Sequence, residues 1–233
     1  MTSCWSTKTF QVLFHGLFYR LGAHYRTTGS VGTEQDITVA KIIVHENYKR
    51  PLSRSNNIAL INLASPADLG EGVGLVCLPD TSHQLPFDSL NKTCWITGWG
   101  TLYSLVPSPN ALMQASLPLV SNQRCENSYP SLIDDSMLCA GLDEGGIGPC
   151  RGDIGGPLAC EFNGTWYLEG VTSWGYGCVQ PNYYVIYTNV RALESWLLTN
   201  LYTVVAPTAS PQNKSSSQNQ SSSAIGKRKY LII

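Results

Sequence analysis

The sequence predicts an all-β domain closed by a single helix. Segments rich in Val, Ile, Tyr, Trp and Thr recur along the chain, separated by Gly, Pro, Asn and Ser, a pattern typical of short strands joined by turns. The predicted strands are residues 38–45, 58–63, 93–99, 117–120, 165–174 and 183–190. Because the chain has 233 residues and 43% of them are hydrophobic, it can bury a core, which excludes a wholly disordered protein.

One helix is predicted after the last strand, over residues 190–201. Its apolar residues fall three or four positions apart and share one face: Val190, Leu193, Trp196, Leu197 and Leu201. Beyond residue 202 the composition changes to Ser, Asn and Gln with almost no aromatic residues. This composition predicts a disordered tail over 203–233 that can be removed without loss of the fold.

The charge balance excludes several classes of partner. Charged residues make up only 13% of the chain, and 15 Lys and Arg nearly cancel 16 Asp and Glu. Nothing in this balance attracts nucleic acid or an anionic membrane surface. The longest apolar stretch near the N-terminus, residues 10–21, is interrupted by Gln11, His15 and Arg20. It is too short and too polar for a membrane span or a secretion signal.

The cysteines indicate disulfides rather than a metal site. The chain has 8 cysteines and no C-x-x-C pair, so zinc ligation is disfavoured, and we expect neither a metal nor a cofactor. So many cysteines favour a secreted or extracellular protein. Four N-x-[ST] sequons agree with a glycoprotein: Asn91, Asn163, Asn213 and Asn219. Since no secretion signal is visible, we expect that the N-terminal part is missing or replaced.

A series of Gly- and Trp-rich motifs carries the functional prediction. GDIGGP (152–157) lies between Cys150 and Cys160. The other motifs, in chain order, are LGAH (21–24), IVHENY (43–48), NIAL (57–60), CWITGWG (94–100), MLCAG (137–141) and TSWGYGC (172–178). Together they resemble the trypsin/chymotrypsin-like serine protease family over residues 21–201. The resemblance implies two six-stranded Greek-key β-barrels, the first one incomplete, with a C-terminal helix. It divides the chain into a divergent segment (1–20), a trypsin-like domain (21–202) and the tail (203–233).

The resemblance also implies that the catalytic residues are replaced. In this family a Ser attacks the substrate carbonyl, a His takes its proton and a buried Asp orients the His. Ile154 stands at the nucleophile position and has no atom that can attack, and Asn57 stands at the Asp position. None of the four histidines lies in the family's A-A-H-C motif: His15, His24, His45 and His83. We therefore expect no intact catalytic residue.

Activation and the oxyanion hole are expected to fail as well. In the family, the Asp before the nucleophile pairs with a newly exposed Ile or Val ammonium, and here that Asp is Asp153. No I-V-G-G segment supplies the ammonium, so Asp153 must find another partner or remain solvated. The oxyanion hole would consist of the backbone N–H groups of Gly152 and residue 154, in a region that we expect to be flexible.

The substrate pocket is altered, but one binding edge is retained. Gly148 stands at the pocket base, and Val185 stands on the wall where the family has Gly, so the resemblance implies a narrowed pocket. Ser173, Trp174 and Gly175 resemble the segment that pairs with an extended peptide. Ala23, finally, replaces a Glu ligand of the family's calcium loop.

The resemblance implies three disulfides: Cys94–Cys160, Cys125–Cys139 and Cys150–Cys178. Cys4 and Cys77 remain, either as free thiols, bonded to each other or bonded to another chain.

The leading hypothesis is a catalytically inactive serine protease homologue that acts by binding a protein or peptide. One alternative is an endopeptidase with residual activity, which needs another nucleophile such as Ser173. The other is a non-functional truncated chain without a stable fold.

Overall fold

The predicted all-β class is confirmed in a computed structural model, which describes residues 4–6, 18–79, 85, 87, 93–102, 107–203 and 230–233. The strands are β1 (Cys4–Ser6), β2 (Phe18–Leu21), β3 (Gln35–Val44), β4 (Ala59–Leu63), β5 (Leu75–Cys77), β6 (Thr93–Gly98), β7 (Met113–Val120), β8 (Met137–Ala140), β9 (Pro157–Phe162), β10 (Thr165–Trp174), β11 (Val185–Asn189) and β12 (Tyr230–Ile232). The helices are α1 (Asn122–Ser128) and α2 (Glu194–Thr203).

The second half of the domain is a closed six-stranded barrel. The strands follow the order β10, β11, β8, β7, β6 and β9, and β9 pairs with β10 to close the ring. Large side chains from several strands fill the interior and are completely buried: Leu117, Leu138, Leu158 and Tyr187. The loop between β8 and β9, two strands of this barrel, contains Ile154.

The first half is an incomplete barrel, as the resemblance implies. Its four strands follow the order β12, β4, β3 and β2, so β4 lies between β3 and β12. Consecutive side chains of β4 point to opposite faces, as in any strand. Leu60 packs in one core cluster and Ile61 in another, and neither is exposed to solvent.

The prediction of a tail that contributes nothing to the fold is wrong for its last four residues. Tyr230–Ile232 forms β12, which pairs antiparallel with β4. Tyr230 is 6% exposed and Leu231 is 2% exposed. The Ser-rich composition of the tail concealed a short apolar end, and four apolar residues suffice for a strand where an edge is open. Residues 204–229 lie outside the described part of the chain.

The helices also differ from the prediction. α2 begins at Glu194, because residues 190–193 form a turn in which the Leu193 N–H donates to the Val190 carbonyl. Leu197 is completely buried, whereas Trp196 is only partly buried. The short helix α1 was not predicted, since Cys125 is its only buried residue and it has no apolar stripe. No helix in the described part of the chain is long and apolar enough to cross a membrane.

The three disulfides implied by the resemblance are present: Cys94–Cys160, Cys125–Cys139 and Cys150–Cys178. Cys77 is also disulfide-bonded, which excludes the free-thiol alternative for this residue. The pairing of β1 with β5 places Cys4 opposite Cys77.

Candidate functional site

Ile154 occupies an exposed turn between β8 and β9. Gly152 and Gly155, on either side of it, have φ angles of 98° and 86°, which favour glycine because a Cβ is strained there. The Ile154 side chain is 70% exposed. The turn therefore presents a branched hydrocarbon to solvent where the resemblance places a nucleophile.

Asn57 lies just before β4 and contacts the end of β10. Its Nδ2 donates a hydrogen bond of 2.8 Å to the Ser173 Oγ. Its backbone carbonyl accepts a hydrogen bond of 2.6 Å from the Thr188 Oγ1. Since an amide N–H donates a hydrogen bond and cannot take a proton, Asn57 cannot activate the Ser173 hydroxyl as a nucleophile.

The described histidines have structural contacts of their own. His45 is buried, its ring lies 4.8 Å from the Trp196 ring, and burial lowers its pKa. His24 is exposed and contacts the Tyr25 ring edge-on. In the described part of the chain neither histidine has a side-chain hydrogen bond with Asn57 or Ile154, although the His45 backbone N–H donates to the carbonyl of Ile58, next to Asn57. His15 and His83 lie outside that part.

Asp153 is held by backbone amides. Its Oδ1 accepts a hydrogen bond of 2.8 Å from the Gly100 N–H, and its Oδ2 accepts one of 3.0 Å from the Cys150 N–H. The fully buried Tyr187 has a raised pKa, first because of burial and second because of the negative charge of Asp153. Asp153 therefore has hydrogen-bond partners without an inserted ammonium.

A cavity of about 210 Å³ lies beside this loop. Its lining includes Gly98, Gly100, Gly148 and Asp153. A Cβ added to Gly148 would lie 2.6 Å from Val179 Cγ1 and 3.8 Å from Val185 Cγ2. The structure thus places Gly148 near Val185. Val179 also lies next to Gly148, and the sequence motifs did not identify it.

The segment from Ser173 to Gly175 leaves part of the β10 edge open. On the β9 side, the pairing of this edge ends at Thr172, whose N–H donates to the Gly156 carbonyl and whose carbonyl accepts from the Gly155 N–H. Ser173 is buried, Trp174 is half-buried and Gly175 is exposed. A strand edge of this kind can pair with an extended peptide.

Aromatic rings surround this edge. The Tyr129 ring lies 5.0 Å from Trp174 and 5.1 Å from Tyr176, in edge-on contacts. The exposed Arg54 guanidinium lies over the Trp174 ring, 4.4 Å from its centroid. Such a cation–π contact joins residues 120 positions apart, and no motif in the sequence signals it. We call Arg54, Tyr129, Trp174 and Tyr176 the aromatic groove.

In the loop from Ser30 to Glu34, the Glu34 carboxylate is hydrogen-bonded by groups of the same loop. Glu34 accepts hydrogen bonds from the Ser30 Oγ at 2.7 Å and from the N–H groups of Val31 and Gly32 at 2.8 and 2.9 Å. These bonds lower the pKa of Glu34 to about 2. Ala23 is buried and offers no ligand oxygen. Among the described residues, no group of three or more His, Cys, Asp and Glu side chains could hold a metal ion.

The fold and the motifs agree with a comparison against protein families. The family model described as Trypsin matches residues 2–197. The chain belongs to the trypsin family. Its relatives include Trypsin-1 of Astacus astacus, with 41% identity over 170 residues, covering 72% of this chain and 69% of the relative. Trypsin-1 of Gadus morhua is 41% identical over 178 residues, covering 76% of this chain and 69% of the relative. The trypsin family match begins upstream of residue 21, where the recognised motifs start.

Proposed function

We propose that this trypsin-family chain is a non-catalytic homologue that binds an extended protein or peptide segment. The observation that carries the proposal is the side chain at residue 154: an exposed Ile cannot form an acyl intermediate. The contact between Asn57 and Ser173 adds to it, because an amide replaces the carboxylate that orients a catalytic His in this family.

Residual endopeptidase activity would need another nucleophile, and Ser173 is the candidate. Ser173 is buried, and its Oγ accepts a hydrogen bond from the Asn57 amide, which cannot act as a base. The geometry therefore disfavours this alternative. The third alternative, a chain without a stable fold, is disfavoured by the closed second barrel and its three disulfides.

The aromatic groove and the open edge of β10 supply the binding surface. Backbone groups of Ser173 to Gly175 would pair with an extended ligand, while Trp174 and Tyr176 offer partly exposed aromatic faces. The exposed guanidinium of Arg54 favours a ligand that carries a carboxylate. We therefore propose an extended peptide with acidic side chains as the ligand class.

Secretion and glycosylation fit the same proposal. Disulfides persist in oxidising compartments, and three of them join the elements of the second barrel or its loops. Asn163 is exposed in the turn between β9 and β10, where a glycan can be attached.

Two measurements test the proposal. The purified chain should not hydrolyse a fluorogenic peptide ester, and a fluorophosphonate probe should not label it covalently. Turnover together with labelling of a serine would contradict the proposal.

A fluorescein-labelled octapeptide of alternating Glu and Val should bind and raise fluorescence polarisation. Arg54→Ala should weaken this binding about tenfold, the loss of one charge-assisted contact. Lys49→Ala removes an exposed cation near Tyr48 instead and should leave binding unchanged.

A further inference from the structure

The outer edge of β4 is covered by the last residues of the same chain. Ile233 exchanges two backbone hydrogen bonds with Ala59, of 2.7 and 3.0 Å. Leu231 lies opposite Ile61 in the same antiparallel register. Without this partner, β4 would present unpaired backbone groups and buried apolar residues at an open edge. We call the surface that receives Tyr230 to Ile233 the β4 groove.

The four residues contribute side chains to both faces of the sheet. Tyr230 belongs to the core cluster that contains Leu60 and Leu197, and Ile232 packs against it. Leu231 belongs to the cluster that contains Ile61, and Ile233 packs against that one. The groove therefore selects apolar side chains at all four positions, since each faces a core.

Residues 204–229 separate Thr203, the end of α2, from Tyr230. Among the described residues, the contacts that hold the strand on β4 are its own backbone hydrogen bonds and its buried side chains. These are the contacts by which a tethered ligand binds its acceptor.

We propose that the β4 groove is a strand-acceptor site for an extended apolar peptide of the pattern Tyr-Leu-Ile-Ile. Its occupant in the structure is the chain's own C-terminus, and the same sequence binds when it is not covalently attached. The groove ends at the loop that carries Ile154, because Ile233 Cβ lies 3.9 Å from the position of a Cβ on Gly155. It is distinct from the aromatic groove, which lies at the end of β10.

The test uses the full chain, folded before it is cut. A recognition sequence for a specific protease replaces residues 213–219, and the folded protein is cleaved there. The released C-terminal fragment should co-elute with the domain in size-exclusion chromatography. Excess fluorescein-labelled Tyr-Leu-Ile-Ile should then displace it and bind with a stoichiometry of one per chain. The uncut chain should bind at least about tenfold more weakly, because its tethered strand competes at high effective concentration.

A control peptide, Tyr-Asp-Ile-Ile, places a carboxylate at the position of the buried Leu231 and should not bind the cut chain. Equal binding of both peptides would overturn the proposal. So would loss of the fragment after cleavage with an unchanged Tm and no peptide binding.

A second variant tests the same contacts in the intact chain. Leu231→Asp should lower the Tm by about 10 °C, since it removes a buried contact and places a charge in the core. Ser221→Asp adds the same charge outside β12 and should leave the Tm unchanged. Equal melting temperatures for both variants would overturn the proposal. If Leu231→Asp does not fold, peptide binding by the cleaved chain, which keeps Leu231, still tests the proposal.

Discussion

Asn57 and Ser173 are 116 residues apart in the chain and are joined by a hydrogen bond of 2.8 Å. The bond connects the start of β4, in the incomplete barrel, to the end of β10, in the closed barrel. Because the amide donates and the hydroxyl accepts, the pair links the two halves without creating a base. The halves are thus joined at a position where the side chain is an amide and carries no carboxylate.

Restoring single catalytic positions should not produce an enzyme. Ile154→Ser, Asn57→Asp and the double variant should all lack measurable turnover of a fluorogenic peptide. The physical reason is that the members of a catalytic triad act as a unit, and loss of Ser or His alone costs about 10⁶ in turnover. No described histidine has a side-chain hydrogen bond with either position. Turnover by Ile154→Ser alone, absent from the unmodified chain, would contradict this prediction.

The hydrogen bond between Asn57 and Ser173 should contribute to stability. Asn57→Ala should lower the free energy of unfolding by about 1–3 kcal/mol, because the Ser173 hydroxyl is buried and loses its donor. Asn57→Asp should cost less, since Ser173 can then donate to the carboxylate. Chemical denaturation measures both, with Ser53→Ala as an exposed control. Equal stabilities for the Ala and Asp variants would argue against the pair.

Leu197 should contribute more to stability than its neighbour on α2. Leu197→Ala should cost about 2–5 kcal/mol, because the side chain is completely buried and leaves a cavity. Leu198 is only partly buried, and Leu198→Ala should cost less. The comparison uses urea denaturation of both variants. Trp196 differs from both, since its Nε1 donates to Glu46 near the surface. A larger loss for Leu198→Ala would mean that α2 packs in a different rotation.

Stability should fall as the pH is lowered from 7 towards 5. Burial lowers the pKa of His45 below the ordinary value of 6.5, so the unfolded chain binds its proton first. Above pH 6.5 the ring of His45 is neutral in both the folded and the unfolded chain, so it does not reduce the free energy of unfolding. As the pH falls below 6.5 and through the lowered pKa of the folded state, the free energy of unfolding decreases. His45→Gln should flatten the dependence of Tm on pH in this range. His24→Gln, at an exposed position, should leave the dependence unchanged; a flattened curve there would point to another group.

Calcium should not stabilise this protein. The Glu34 carboxylate is occupied by three donors of its own loop, and residue 23 is Ala. Millimolar Ca²⁺ should therefore leave the Tm unchanged, and a chelator should have no effect in differential scanning calorimetry. A rise of several degrees with Ca²⁺ would show that the loop opens and that Glu34 becomes a ligand.

The sequence by itself determined the all-β class, the C-terminal helix and the chemistry at residues 57 and 154. Strand-forming residues and turn residues alternate locally, so six strands could be placed within a few residues of their ends. The family resemblance supplied the disulfide pairs and the two-barrel arrangement. Side chains such as Ile154 limit reactivity whatever the fold, because a hydrocarbon has no lone pair or acidic proton.

Only the tertiary structure decided which distant residues meet. The contact of Arg54 with Trp174, the bond between Asn57 and Ser173 and the pairing of β12 with β4 join segments far apart in the chain. Their stability comes from burial and hydrogen bonding that exist only after folding, whereas a local pattern records periodicity and composition. Four apolar residues at the end of a Ser-rich tail have no periodicity to detect. They form a strand because β4 offers an open edge between two cores.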